Sequence, residues 1–120
     1  MMTGWTLTKL RARILNRKDF LRGYSGRDRL IRSIALQLLE QAVRSADPDA
    51  AVRNVLRVKG DCVRIGGERI GLSGRVMVIG AGKASGRMAT AIESIMGDRI
   101  DGGTVIVPRG TASSFNLRRI

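Results

Sequence analysis

One short turn carries the residues whose types and spacing could bind a negatively charged ligand: "GAGKAS", residues 80–85. Gly80 and Gly82 allow the backbone to turn tightly and to approach a ligand closely. Lys83 adds a positive charge where the sequence predicts the first turn of a helix, whose free N–H groups already favour anions. A cation there opposes the helix dipole at a cost of typically about 0.3–1 kcal/mol. We therefore expect a negative group to occupy this turn.

Two common phosphate-binding motifs do not explain the turn. The P-loop requires a glycine where Met77 stands and Ser or Thr where Ala84 stands. The dinucleotide fingerprint requires a third glycine where Ser85 stands. The alternative interpretation is that Lys83 simply extends into solvent, which a long side chain does at little cost.

A strand–helix–strand pattern positions the turn. The run "RVMVIG", residues 75–80, is nearly all apolar and is typical of a strand covered on both faces. Residues 83–96 have helical spacing, and Gly97 is expected to end that helix as a left-handed cap. Thr104–Val107 predicts a second buried strand, which gives a right-handed βαβ unit. The turn then lies at the carboxyl end of a parallel strand, where ligands bind in open α/β sheets.

Other patterns predict the elements around this unit. Helices are expected over 6–16, over 27–45, and after Asp47, with Pro48 at the first helical position and Val52, Val55 and Leu56 as its buried stripe. Residues 21–28 read as a turn, and two short strands flank Gly66-Gly67. "FNLRRI", residues 115–120, resembles the start of a further strand.

These elements predict an α/β fold that is incomplete. It is a Rossmann-like α/β/α domain with N-terminal helices, a small β-hairpin and a βαβ unit. We divide the chain into an N-terminal helical extension, residues 1–26, and the partial domain, residues 27–120.

Composition limits the classes of partner. Lys and Arg number 22 against 10 Asp and Glu, a net charge of +12, which attracts anions. Aromatic residues are only 3%, so stacking platforms for nucleic acid are scarce, and nucleic acid is not the expected partner. Cys62 is the single cysteine and histidine is absent, which excludes an internal disulfide and favours a reducing cytoplasm. No apolar run approaches the roughly 18 residues of a membrane span, and no signal peptide is expected.

Three segments together resemble the N-terminal region of the type-2 glycerate kinases, also called the glycerate 2-kinase or MOFRL family. They are "DPDAAV" at 47–52, "VIGAGKASGRMATAIE" at 78–93 and "GDRIDGGTVIVPRG" at 97–110, within a resemblance that runs from about Leu30 to the end of the chain. The resemblance implies a Rossmann-like first domain, a smaller second domain and an active site between them. It implies phosphoryl transfer from ATP to the 2-hydroxyl of D-glycerate with Mg²⁺.

The same resemblance implies roles for individual residues. Lys83 is expected to act at the catalytic site. Gly80, Gly82, Ala84 and Ser85 are expected to line the glycerate or nucleotide site through their backbones.

The sequence departs from that family in three ways. Family members are several times longer, Thr111 replaces a histidine that often follows the Gly110 position, and no set of Asp or Glu for Mg²⁺ is evident. We expect a fragment of a glycerate 2-kinase, from a split gene, a truncated reading frame or an isolated first part, that is inactive alone and needs a separate chain with the missing C-terminal part. Two alternatives stay open: a non-enzymatic basic module that binds anions or nucleic acid, and an inactive remnant that folds only on a partner.

Overall fold

The sequence forms four α-helices and five β-strands in a computed structural model that describes residues 12–120. The chain divides into two compact units, one ending at Asp47 and the other spanning Pro48–Ile120. The division at residues 26 and 27 stays a prediction. Within the described residues, no helix combines the length and the apolar character that crossing a bilayer requires.

The first unit contains α1, Arg17–Leu21, and α2, Gly26–Ser45. Helix α2 confirms the helix expected over 27–45, and the residues between α1 and α2 form the expected turn. Although Leu30, Ile31 and Leu38 share the apolar face, they stay 60%, 52% and 65% exposed.

The helix expected over 6–16 is not found in its described part. Residues 6–11 lie outside the described residues, and residues 12–16 are not helical. Side chains of α2 hold this segment in an irregular path: the Ile14 N–H donates to Glu40 Oε1 at 2.9 Å, and the Arg44 guanidinium donates to the Ala12 carbonyl at 3.1 Å. Because α2 engages these groups, helical periodicity mispredicted residues 12–16 as helix, and helix α1 at Arg17–Leu21 was not predicted.

The second unit begins with α3, Pro48–Val55, as the Asp-Pro signal predicts. Strands β1 (Leu56–Lys59), β2 (Cys62–Ile65) and β3 (Glu68–Gly71) then form an antiparallel sheet in the order β1-β2-β3. The hairpin around Gly66-Gly67 is confirmed, whereas β1 was missed. Leu56 is buried but opens β1, opposite Ile65, instead of extending the stripe of α3.

The βαβ unit is confirmed. Strand β4 (Met77–Ala81) is followed by helix α4 (Ser85–Met96) and a 3₁₀ turn (Gly97–Arg99). Strand β5 (Gly102–Ile106) comes next. The two strands pair in parallel, from Met77 opposite Gly102 to Ala81 opposite Ile106. Gly97 ends α4 with a φ of +54°, which only glycine adopts readily.

Residues 115–120 form no strand. The N–H groups of Arg118 and Arg119 instead donate to the Glu93 carboxylate of α4, at 2.7 and 3.1 Å. These contacts hold the segment against the helix and take the place of strand pairing.

The core of the second unit lies between α3, α4 and the antiparallel sheet. Its buried members are Val52, Leu56, Val63, Ala91, Met96 and Ile100. The parallel pair is covered by α4 on one face only, where Val78 packs against this core. On the other face Ile79 is 86% exposed and Ile106 67% exposed, so the expectation of a strand covered on both faces is wrong for the described residues.

Candidate functional site

Two glycines shape the turn after β4, one through its backbone conformation and one through the close approach of neighbouring side chains. Gly82 has a φ of +111°, and its N–H donates to the Ile106 carbonyl at the end of β5, at 2.9 Å. A Cβ atom on Gly80 would lie 3.2 Å from Val105 Cγ1 and 3.3 Å from Ser85 Cβ. The glycines thus let the chain leave β4 while it stays bonded to the neighbouring strand.

The buried residue Ser85 stabilises this turn through hydrogen bonds. Its N–H donates to the Gly82 carbonyl at 3.2 Å, and its Oγ lies 2.7 Å from the Gly82 carbonyl and 3.0 Å from the Ile106 carbonyl. A hydroxyl carries one proton, so it donates to one of these two oxygens at a time. The hydroxyl therefore joins the turn to β5.

Helix α4 starts two residues later than the sequence predicts. Ala84 is the N-cap and Ser85 the first helical residue, so Lys83 precedes the helix and does not lie in its first turn. The positive φ of Gly82 and the internal bonds of Ser85 delay the first helical residue. Lys83 still lies beside the positive end of the helix dipole.

Lys83 itself is exposed and has no hydrogen bond or ion pair with any residue in the part of the chain that is described. Its ammonium is available to an anion from solvent, and its neighbours Gly82 and Ala84 are exposed as well. Gly80, Gly82, Lys83, Ala84 and Ser85 thus lie together in one turn. Their role as a binding site stays a prediction.

A second cation follows the neighbouring strand and was not proposed from the sequence. Ala81 and Ile106 are opposite each other in the parallel register, so Lys83 follows the end of β4 and Arg109 follows the end of β5 at the same edge. Arg109 is exposed, and Gly110 next to it has a φ of +82°. The detectable signal was a cation just beyond each of two apolar strands that the sequence predicts to be parallel.

The described residues hold no cluster of metal-binding side chains. No group of three or more Asp, Glu, Cys or His side chains within residues 12–120 could hold a metal ion. The turn itself carries no carboxylate. Because Mg²⁺ takes carboxylate, phosphate and water oxygens, the side chains of this turn do not fit it as protein ligands.

Most of this chain can be aligned with known proteins, but the alignment takes up only a minor part of the length of each of them. Residues 34–120 match the family described as "Domain of unknown function (DUF4147)". The glycerate 2-kinase of Pyrococcus horikoshii is 38% identical over 90 residues, which are 75% of this chain and 20% of that protein. The glycerate kinase of Danio rerio is 37% identical over 81 residues, 68% of this chain and 16% of that protein.

One solved structure shares the fold. The crystal structure of the PH0495 protein from Pyrococcus horikoshii OT3 superposes with a TM-score of 0.62 at 37% identity, over 75% of this chain and 20% of that one. The chain thus spans about a fifth of the length of the relatives that it matches. The match at this identity confirms the α/β fold and the family resemblance. The chain belongs to the DUF4147 family and corresponds to the N-terminal region of the type-2 glycerate kinases.

Proposed function

We propose that this chain is the N-terminal part of an ATP-dependent glycerate 2-kinase, which converts D-glycerate and ATP to 2-phosphoglycerate and ADP in the cytoplasm. The observation that carries the proposal is Lys83: an exposed ammonium without a protein partner among the described residues, at the carboxyl edge of a parallel strand pair. Two relatives at 37–38% identity are named as glycerate kinases, which supports the substrate class.

Lys83 would bind and neutralise an anion during the reaction. In the transfer, the 2-hydroxyl oxygen of glycerate would form a bond to the γ-phosphorus of ATP, while the bond between that phosphorus and the β–γ bridging oxygen breaks. ADP would leave with the bridging oxygen, and the hydroxyl proton would pass to solvent. Catalysis of this step depends on positioned positive charge around the phosphates and the carboxylate. Lys83, backed by the positive end of α4, supplies such charge.

Gly80, Gly82, Ala84 and Ser85 would shape the site through their backbones. The contacts of Ser85 support a scaffold role, since its hydroxyl is bonded within the protein. Mg²⁺ would neutralise the phosphates of ATP, and its protein ligands would come from polypeptide outside this chain, because the described residues offer no cluster for it.

The remaining polypeptide is the partner that we propose for activity. It would cover the open face of the parallel pair, where Ile79 and Ile106 are exposed, because parallel strands are normally covered on both faces. It would also supply the second domain and the other wall of the cleft. The chain alone would then have no kinase activity.

A chimaera tests this proposal. Residues 34–120 replace the matching segment of the Pyrococcus horikoshii glycerate 2-kinase, and ADP release is followed with D-glycerate and ATP. We expect turnover by the chimaera and none by the 120-residue chain. Lys83→Ala in the chimaera is expected to lower kcat/KM by about 10²–10³, the usual loss when one charge-stabilising group is removed.

Arg75→Gln in the same chimaera is the matched control, because Arg75 is also exposed and forms no ion pair among the described residues. It should leave kcat/KM within about twofold of the parent, as for a surface change remote from a site. Equal activity of the Lys83→Ala chimaera and its parent would refute the role of Lys83. Turnover by the isolated chain would refute its dependence on further polypeptide.

A further inference from the structure

The antiparallel sheet of the second unit places four cations on one face. Residues directly opposite each other share a face, and Arg57 lies opposite Arg64, which in turn lies opposite Arg69. Lys59 belongs to the next row of the same face, opposite Cys62. We call this surface, formed by Arg57, Lys59, Arg64 and Arg69, the cationic face.

The hydrophobic core fixes the direction of the cationic face. The opposite side of the sheet carries Leu56, Val58 and Val63, which belong to the core or pack against it. A shift of one residue in register would exchange the two sides and bury the arginines. All four cations are exposed in the structure, so the pattern of the strands points them to solvent.

Like charges in directly opposite positions destabilise a sheet. On the cationic face, few neighbouring groups offset this repulsion. None of the four cations forms an ion pair with another residue in the range 12–120. The Arg57 guanidinium donates to the carbonyls of Arg53 and Leu56, and Arg69 donates to Cys62 Sγ at 3.4 Å. Neither set of contacts neutralises a charge. The acid on β3, Glu68, lies in the row of Leu56 and Ile65 on the other side.

Three of these cations border a concave space. A depression of about 880 Å³ that is open to solvent is lined by Lys59, Gly60, Asp61, Cys62, Arg64, Gly67 and Arg69. Asp61 is the one acid in this lining, so the charge of the lining is +2. The space is therefore both recessed and positively charged, which a solvated row of arginines on a flat surface would not be.

We propose that the cationic face binds an anion that carries several neighbouring phosphates. Arg64 and Arg69 lie opposite each other on neighbouring strands, which are about 4.7–4.9 Å apart. A guanidinium can hold phosphate oxygens in a bidentate manner, so this pair suits neighbouring phosphates. The face has no aromatic side chain on which bases could stack. That favours a free oligophosphate over single-stranded RNA. The inference does not depend on the kinase proposal.

Titration calorimetry of the full chain with inorganic tripolyphosphate at low salt tests this assignment. Every protein in the series carries Lys83→Ala, so the turn after β4 cannot account for the signal. We expect Arg64→Gln/Arg69→Gln to weaken binding by about tenfold or more, whereas Arg27→Gln/Arg75→Gln should change it by less than about threefold. The control pair removes the same charge at exposed positions without ion pairs in the described chain.

A variant of opposite sign sharpens the test. Asp61→Asn removes the negative charge from the lining and is expected to tighten tripolyphosphate binding by several-fold. The Arg64→Gln/Arg69→Gln protein should melt no lower than its parent, because the substitution relieves like-charge repulsion. Weaker binding with an unchanged fold then reports on the site alone.

Three results would overturn the assignment. The first is no binding of tripolyphosphate by the parent. The second is an equal loss in the two double variants, which would show that net charge alone attracts the anion. The third is tighter binding of a single-stranded RNA or of polyglutamate through Arg64 and Arg69, which would make the face a surface for that macromolecule.

Discussion

Ser85 was expected to line a binding site, but its side chain stabilises the turn that forms this site. Its buried hydroxyl connects the Gly82 and Ile106 carbonyls. Replacing it by alanine removes this link, while the Ser85 and Gly82 N–H groups still donate to the two oxygens. We expect Ser85→Ala to lower the free energy of unfolding by about 0.5–1.5 kcal/mol, the net contribution of one hydrogen bond. Urea denaturation measures the change. Ser73→Ala, at an exposed serine without hydrogen bonds to described residues, should change it by less than about 0.5 kcal/mol.

Residue-scale chemistry was only partly visible in the sequence. The glycines and Lys83 were identifiable because a cation beside glycines, between a buried strand and a helix, is unusual. The role of Ser85 was not, since it depends on the Ile106 carbonyl, 21 residues away. Arg109 was missed for the same reason: the parallel register of β4 and β5 brings it to the edge that Lys83 occupies.

At the scale of elements, α4 packs closely against the segment after β5, because Gly86 has no side chain to collide with Phe115. A Cβ atom on Gly86 would lie 2.5 Å from Phe115 Cζ and 2.7 Å from its Cδ2. We expect Gly86→Ala to destabilise the protein by about 1–3 kcal/mol, as overpacking does. In a Phe115→Ala background the same change should stabilise α4 by about 0.5–1 kcal/mol, since alanine favours helix over glycine.

A double-mutant cycle by urea denaturation checks this coupling. A loss of the same size in both backgrounds would show that Phe115 is not what restricts position 86. Helix propensity alone predicts a gain in either background, so the sign of the change separates collision with the ring from an intrinsic effect of the helix.

Local sequence patterns predicted the elements that have clear periodicity or turn signals. They failed where a contact with a residue distant in sequence determines the secondary structure. The helices α2 and α3, the hairpin β2–β3 and the βαβ unit all followed from periodicity, Asp-Pro and glycine signals. Strand β1 was missed because Leu56 fits both a helical stripe and a strand, and pairing with Ile65 decides between them. Residues 115–120 were mispredicted because Glu93 holds two of their N–H groups.

At the scale of the whole molecule, the two faces of the parallel pair differ in what covers them. Val78 and Ile79 are adjacent in β4, but Val78 packs against the core whereas Ile79 is 86% exposed. In the chain alone, Ile79→Lys should change the free energy of unfolding by less than about 0.5 kcal/mol, because it alters only solvent contacts. Val78→Lys should cost about 3 kcal/mol or more, since it places a charge against the core.

The chimaera proposed above should tolerate a charge at position 79 less well than the chain alone, because further polypeptide would cover this face there. In the chimaera, Ile79→Lys is expected to cost several kcal/mol and to lower the melting temperature, because a charge would then be buried without a partner. Thermal unfolding of the chain and of the chimaera, each with and without the substitution, makes the comparison. A substitution tolerated equally in both proteins would mean that this face stays open in the complete enzyme, and that the remaining polypeptide joins the sheet at its edges instead.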